Sequence, residues 1–152
     1  MDISGSQKIN APRQAVFNAL LNPAVLQESI PGCELAKLVE MEGRQQLKLK
    51  ISPNFPGFKG PYIVYVWTGE VVPPSRVTLI TEPSNALGSI KAQCVIDLVE
   101  EVPGVTTLTY TAHADREGKI AATPELIIKP AVKTALDQFF KNFEKQVSTV
   151  RA

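Results

Sequence analysis

Two hydrophobic periods divide the chain. Ile3 to Ile9 reads as a short strand, and Ala11-Pro12-Arg13 then opens a helix whose apolar stripe is Val16, Phe17, Leu20 and Leu21. Pro12 suits a first helical turn, where its missing N–H would have no partner anyway. Asn22-Pro23 ends that helix, because the residue before proline is pushed out of the α region, and Pro23 starts a second short helix through Leu26. Ile30-Pro31-Gly32-Cys33 places Pro and Gly at the centre of a type II turn, whose second central residue needs φ > 0.

From Glu34 onward the period is two. Leu47, Leu49 and Ile51 alternate with Lys48 and Lys50, as in a strand with one wet face. Residues 58–72 give a longer strand that is apolar on both parities, stopped by Pro73-Pro74. Val77 to Thr81, Ser89 to Val99 and Thr106 to Asp115 follow as strands, the last two joined by the turn Val102-Pro103-Gly104-Val105. Such short connections predict an antiparallel meander. The last third returns to a helical period. Thr123-Pro124-Glu125 reads as N-cap, first residue and acidic first turn of a helix reaching about Val150. Its apolar stripe is read as Ile127, Ala131, Ala135, Phe139, Phe143 and Val147, with a kink at Pro130. Strands closed by a helix predict an α+β fold, with the long helix lying across one face of a curved antiparallel sheet.

Side-chain size on the inward parity is the informative feature. Tyr62, Val64 and Val66 occupy one parity of their strand, with Phe58 ahead of them, and Leu79 lies on the next strand. Ile90, Ala92 and Cys94 follow, then Tyr110, Ala112 and Ala114, opposite a polar parity of Thr107, Thr109, Thr111 and His113. The helix offers Ala131 and Ala135 mid-stripe and keeps the bulk of Phe139 for its far end. Alanines facing alanines in a close-packed interior either draw the backbones together or leave room for something else. A curved sheet resists close approach along a whole helix, so an apolar cavity lined by these residues is the expectation, a core filled by Tyr62, Tyr110 or Phe58 the alternative. Ile63, Tyr65 and Trp67 take the opposite parity as an apolar stripe, which marks a partner or dimer surface, cover by a loop being the alternative.

The 152 residues make one domain, 1–152, long enough to bury roughly 70% of the unfolded surface without staples. With 16 Lys+Arg against 15 Asp+Glu the net charge is +1, which gives no footprint for nucleic acid or an anionic membrane. Two cysteines and one histidine fall short of a four-ligand zinc site and fit a reduced, cytoplasmic protein. Nothing approaches the ~20 apolar residues of a membrane span, and the start, Met1 to Asn10, lacks a signal peptide's basic start and apolar core. No cofactor or metal is expected.

Several segments resemble one family. Ile9-x-Ala11-Pro12-Arg13, Asn22-Pro23-x-x-Leu26 and Ile30-Pro31-Gly32-Cys33-Glu34 are similar to the carbon monoxide dehydrogenase G-subunit (CoxG) family of the START-like, helix-grip superfamily. So are Phe58-Lys59-Gly60, Val72-Pro73-Pro74, Leu108-Thr109-Tyr110, Gly118-Lys119-Ile120-Ala121 and the stretch Leu136 to Glu144. The resemblance implies about seven strands around a long C-terminal helix, a hydrophobic tunnel between them, and a lipid or quinone as ligand. It also implies an accessory role beside a carbon monoxide dehydrogenase or related molybdenum hydroxylase, in maturation, membrane recruitment or electron-acceptor delivery, and no catalysis. A hydrolase or cyclase of the same fold is the alternative. The segment Thr123 to Pro130 departs from the family pattern, which leaves the helix start and tunnel mouth open to reshaping. The apolar C-terminal tail that some members carry is not matched, so at most peripheral membrane contact is expected.

Candidate chemistry is sparse. His113 falls on the wet parity, with no serine or cysteine assigned to it. Nothing near Cys33 lowers a thiol pKa, and neighbouring Glu34 opposes the thiolate. Arg116 and Lys119 sit between the last strand and the helix, either as a solvated turn or as two cations at the cavity mouth that orient a polar ligand head.

Overall fold

The computed structural model describes residues 1–52, 61–82, 84–85, 88–117 and 124–151. Strand β1 (Asp2–Ile9) leads into helices α1 (Arg13–Leu20) and α2 (Pro23–Ser29). Strands β2 (Cys33–Met41), β3 (Arg44–Ile51), β4 (Tyr62–Val72), β5 (Arg76–Thr81), β6 (Ser84–Asn85), β7 (Gly88–Val102) and β8 (Val105–Glu117) follow, and helix α3 (Glu125–Arg151) comes last. All pairings are antiparallel, in the order β1-β8-β7-β5-β4-β3-β2, with β6 a two-residue addition to β7. The meander runs from β2 to β8, and β1 joins its far edge, so α1 and α2 carry the chain from one edge of the sheet to the other.

Local chemistry explains the starts. Pro12 caps α1 without a side-chain bond, and the Glu100 carboxylate of β7 instead accepts from the Arg13 N–H at 2.5 Å. Asn22 caps α2 by accepting from the Ala24 N–H at 3.0 Å, with Pro23 at the first helical position. Gly32 has φ +76°, as the turn expected at 30–33 requires. The β2–β3 hairpin turns on Glu42 and Gly43, both at positive φ.

The core gathers Val16, Phe17 and Leu20 of α1 with Ile96, Leu98, Leu108 and Tyr110 of β7 and β8, closed by Phe140, Phe143 and Val147 of α3. Leu21, placed in the α1 stripe from its spacing, is exposed. The stripe assigned to α3 also needs correction. Positions four apart advance 400°, so each step drifts ~40° around the helix. The face turned inward is Val132, Leu136, Phe139, Phe140, Phe143 and Val147, whereas Ala135 is exposed. Ala131 is half-buried, and Pro130 lies inside the helix. Ala135 therefore does not face the small residues of β8 and lines no cavity there, contrary to the expectation from its spacing.

A second departure lies in β4. The register shifts between Thr68 and Val71, where Gly69 interrupts the apolar run, so Val71 opposite Val77 turns inward although strict alternation sends it outward.

Candidate functional site: the concave face of the sheet

Register carries one set of side chains across the whole sheet. Ala36 pairs with Leu49 and Leu38 with Leu47; Leu49 pairs with Val64, Leu47 with Val66 and Ile51 with Tyr62. Val66 pairs with Thr81, Thr81 with Ala92, Leu79 with Cys94, and these continue to Ala114 and Ala112. Cross-strand partners share a face, so Tyr62, Val64, Val66, Leu79, Ala92, Cys94, Tyr110, Ala112 and Ala114 all lie on the face that carries the core. Phe58 and Lys119, and the side chains of Ile90 and Ile127, lie outside the described residues.

This face is largely apolar but unevenly covered. Helix α3 packs on β1, α1 and α2. The core ends among the described residues at Leu79 and Cys94, which pack against its margin. Beyond that margin Leu47, Val64 and Val66 are half-buried and Leu38 is 48% exposed. Leu38 does not stand out in the sequence, because β2 is apolar on both parities and only its pairing with β3 shows which residues turn inward. Arg116 lies half-buried at the end of the same parity on β8.

Tyr110 is a buried polar residue on this face, 2% exposed. Its ring stacks on Phe140 at 4.8 Å between centroids, and its hydroxyl accepts from the Lys133 Nζ at 2.8 Å. Lys133 also donates to Asp137 at 2.9 Å. The Tyr110 bond first, and Asp137 next, hold the ammonium pKa above its ordinary value. Lys133 fastens the first half of α3 to the sheet, and the pattern of apolar residues gives no hint of it.

The two thiols are not nucleophiles in waiting. Burial pushes Cys94 up to about 11. Burial, partly offset by a backbone hydrogen bond of Leu35, also raises Cys33. His113 points away from the concave face, and both its ring nitrogens are taken, by Asp2 at 2.5 Å and Asp115 at 3.1 Å. Among the described residues no group of three His, Cys, Asp or Glu side chains gathers as metal ligands. No helix among them is long and apolar enough to cross a membrane.

On the opposite, convex face Ile63 is exposed and Tyr65 and Trp67 are half-buried. The Arg44 guanidinium sits 4.0 Å above the Trp67 ring. Together with Glu42 and Glu82 these residues border a groove of about 300 Å³.

A curved antiparallel sheet closed by a C-terminal helix, with two short helices after the first strand, is the START-like helix-grip fold. A START superfamily protein from Mycobacterium smegmatis superposes with a TM-score of 0.73 at 16% identity, over 98% of each chain. A conserved protein from Geobacillus kaustophilus gives 0.86 at 26% identity, over 98% of this chain and 96% of that one. The di-domain ARO/CYC protein BexL of the BE-7585A biosynthetic pathway gives 0.65 at 16% identity, over 97% of this chain and 48% of that one. No curated protein matches the chain in sequence. The chain belongs to the carbon monoxide dehydrogenase G-subunit (CoxG) family, whose sequence pattern matches residues 5–148.

Proposed function

We propose that the protein is a non-catalytic carrier that holds an elongated apolar small molecule, lipid-like or quinone-like, between the concave face and α3. One observation carries this reading: the apolar face runs on past the core, with Val64, Val66, Leu47 and Leu38 turned inward yet incompletely covered. A ligand burying on the order of 500 Å² of apolar surface there gains ~12 kcal/mol gross at about 25 cal/mol per Å². The cost of association takes part of that, which leaves affinities around the micromolar range. Membership of the CoxG family supports a place beside a carbon monoxide dehydrogenase or related molybdenum hydroxylase in the cytoplasm, with Arg116 at the rim for a polar head.

The cyclase reading has the fold likeness to BexL behind it, and a likeness at 16% identity speaks for the fold alone. Against it stands the concave face, whose one buried phenol is already bonded to Lys133. Organic extraction of the purified protein followed by mass spectrometry tests the carrier reading. A stoichiometric apolar molecule, displaced by added quinone or fatty acid, is the expected result. An extract free of such molecules, with no uptake of either additive, contradicts it.

A further inference from the structure

The convex face carries a charge pattern that a single chain leaves unsatisfied. Register aligns Lys37 of β2, Lys48 of β3 and Tyr65 of β4 in one row. Trp67 pairs with Ile80 of β5, which sets Glu82 two residues further on at the level of Tyr65, and Glu82 borders the same groove. The row is therefore Lys, Lys, Tyr across β2, β3 and β4, then Glu82 one residue past β5, where the β5–β7 register brings it beside Lys91. Lys37 and Lys48 are directly opposite each other, an arrangement that disfavours the sheet. Among the described residues no ion pair involves Lys37, Lys48 or Glu82, whereas the neighbouring Arg44 has Glu42 and Lys50 has Glu34. Between the unpaired charges runs the apolar stripe of Ile63, Tyr65 and Trp67, continued on β5 by Ile80.

We infer that this face binds a second copy of the chain, as a two-fold dimer whose axis runs along β4. Lys48 on β3 and Glu82, one residue past the end of β5, lie to either side of β4, level with Tyr65. Rotation about an axis parallel to β4 exchanges the two sides, so Lys48 of each copy meets Glu82 of the other while the Tyr65 rings meet at the centre. Rotation about an axis across the strands would instead set lysine against lysine. The contact is isologous, and it closes at two chains. The aromatic stripe supplies the buried centre, and the two charge pairs supply register and orientation. This surface is separate from the concave face, so dimerisation does not depend on ligand binding.

Sedimentation velocity over a concentration series up to about 1 mM, the weakest range in which a specific contact is measurable, tests the inference. The parent should show a dimer fraction that rises with concentration and falls with added salt. Lys48→Glu and Glu82→Lys should each weaken the dimer by about tenfold or more, while the double variant Lys48→Glu with Glu82→Lys restores it, because the exchanged charges again meet opposites. Carbodiimide coupling of a mixture of light and isotope-labelled parent should yield Lys48–Glu82 cross-links between heavy and light chains. This arm needs no substitution and holds even if a variant folds poorly. A monomer at every concentration, a dimer indifferent to both reversals, a double variant no better than the singles, or mixed-chain cross-links only at other sites would each overturn it.

Discussion

Gly32 and Gly43 have the same backbone conformation, φ +76°, in different surroundings, and that contrast makes a sharp test of the turn between α2 and β2. A Cβ on Gly43 meets nothing within 4 Å, so Gly43→Ala bears only the left-handed penalty of an L-residue, about 1 kcal/mol. A Cβ on Gly32 runs into the carbonyl oxygen of Ser52 and comes within 3.1 Å of its carbonyl carbon. Both contacts are backbone and cannot swing aside. Ser52 must move, yet its N–H donates to the Gly32 carbonyl at 2.9 Å and its hydroxyl donates to Glu34 at 2.7 Å. Losing one such bond adds roughly 0.5–1.5 kcal/mol to the conformational penalty, so Gly32→Ala should cost about 1.5–2.5 kcal/mol. At roughly 2–4 °C per kcal/mol for a domain of this size, thermal melts should fall by about 3–10 °C for Gly32→Ala and about 2–4 °C for Gly43→Ala, so Gly32→Ala loses about twice as much. Equal losses in the two variants would refute the close approach of Gly32 to Ser52.

Two further outcomes follow from the core and the surface charges. Phe143 is fully buried between α3 and the sheet, so Phe143→Ala should lose about 3–5 kcal/mol in denaturant titration, whereas Ala135→Trp, on the exposed face, should stay within about 1 kcal/mol of the parent. The Asp2 hydrogen bond, with Asp115 adding to it, holds the His113 pKa above the ordinary imidazole value, so its contribution to stability is full below about 6.5 and is lost as pH rises through the folded value. The same bond lowers Asp2, whose contribution is lost only as pH falls through that carboxylate's own depressed value. An NMR titration should find the His113 midpoint above that of the unfolded chain in the parent and shifted down in Asp2→Asn.

The strands are legible in the sequence because period two survives wherever one face is wet: Lys48 and Lys50, opposite Tyr65 and Ile63, mark the convex parity of β3 and β4 alike. The capping signals are legible for the same local reason, Asn22-Pro23 and Pro31-Gly32 each needing only their neighbours. What depends on distant partners is not. An α3 stripe drawn through Ala131 and Ala135 in equal steps of four leaves the sheet, because the drift of an α-helix turns those steps aside. The bulge that sends Val71 inward, the reach of Lys133 to Tyr110 and the inward turn of Leu38 are set by pairing and packing, and no local period encodes them.

The central claim is that apolar ligands bind on the concave parity of β4, and its most direct test uses two neighbouring residues on that strand. Val64 faces inward outside the buried core, and Tyr65 faces outward beside it. Titration with an environment-sensitive apolar fluorophore, at protein concentrations where each variant melts like the parent, should show saturable binding that Val64→Glu weakens by about tenfold or more and Tyr65→Glu leaves unchanged. Binding that survives Val64→Glu, or falls instead with Tyr65→Glu, would place the ligand off the concave face and contradict the account.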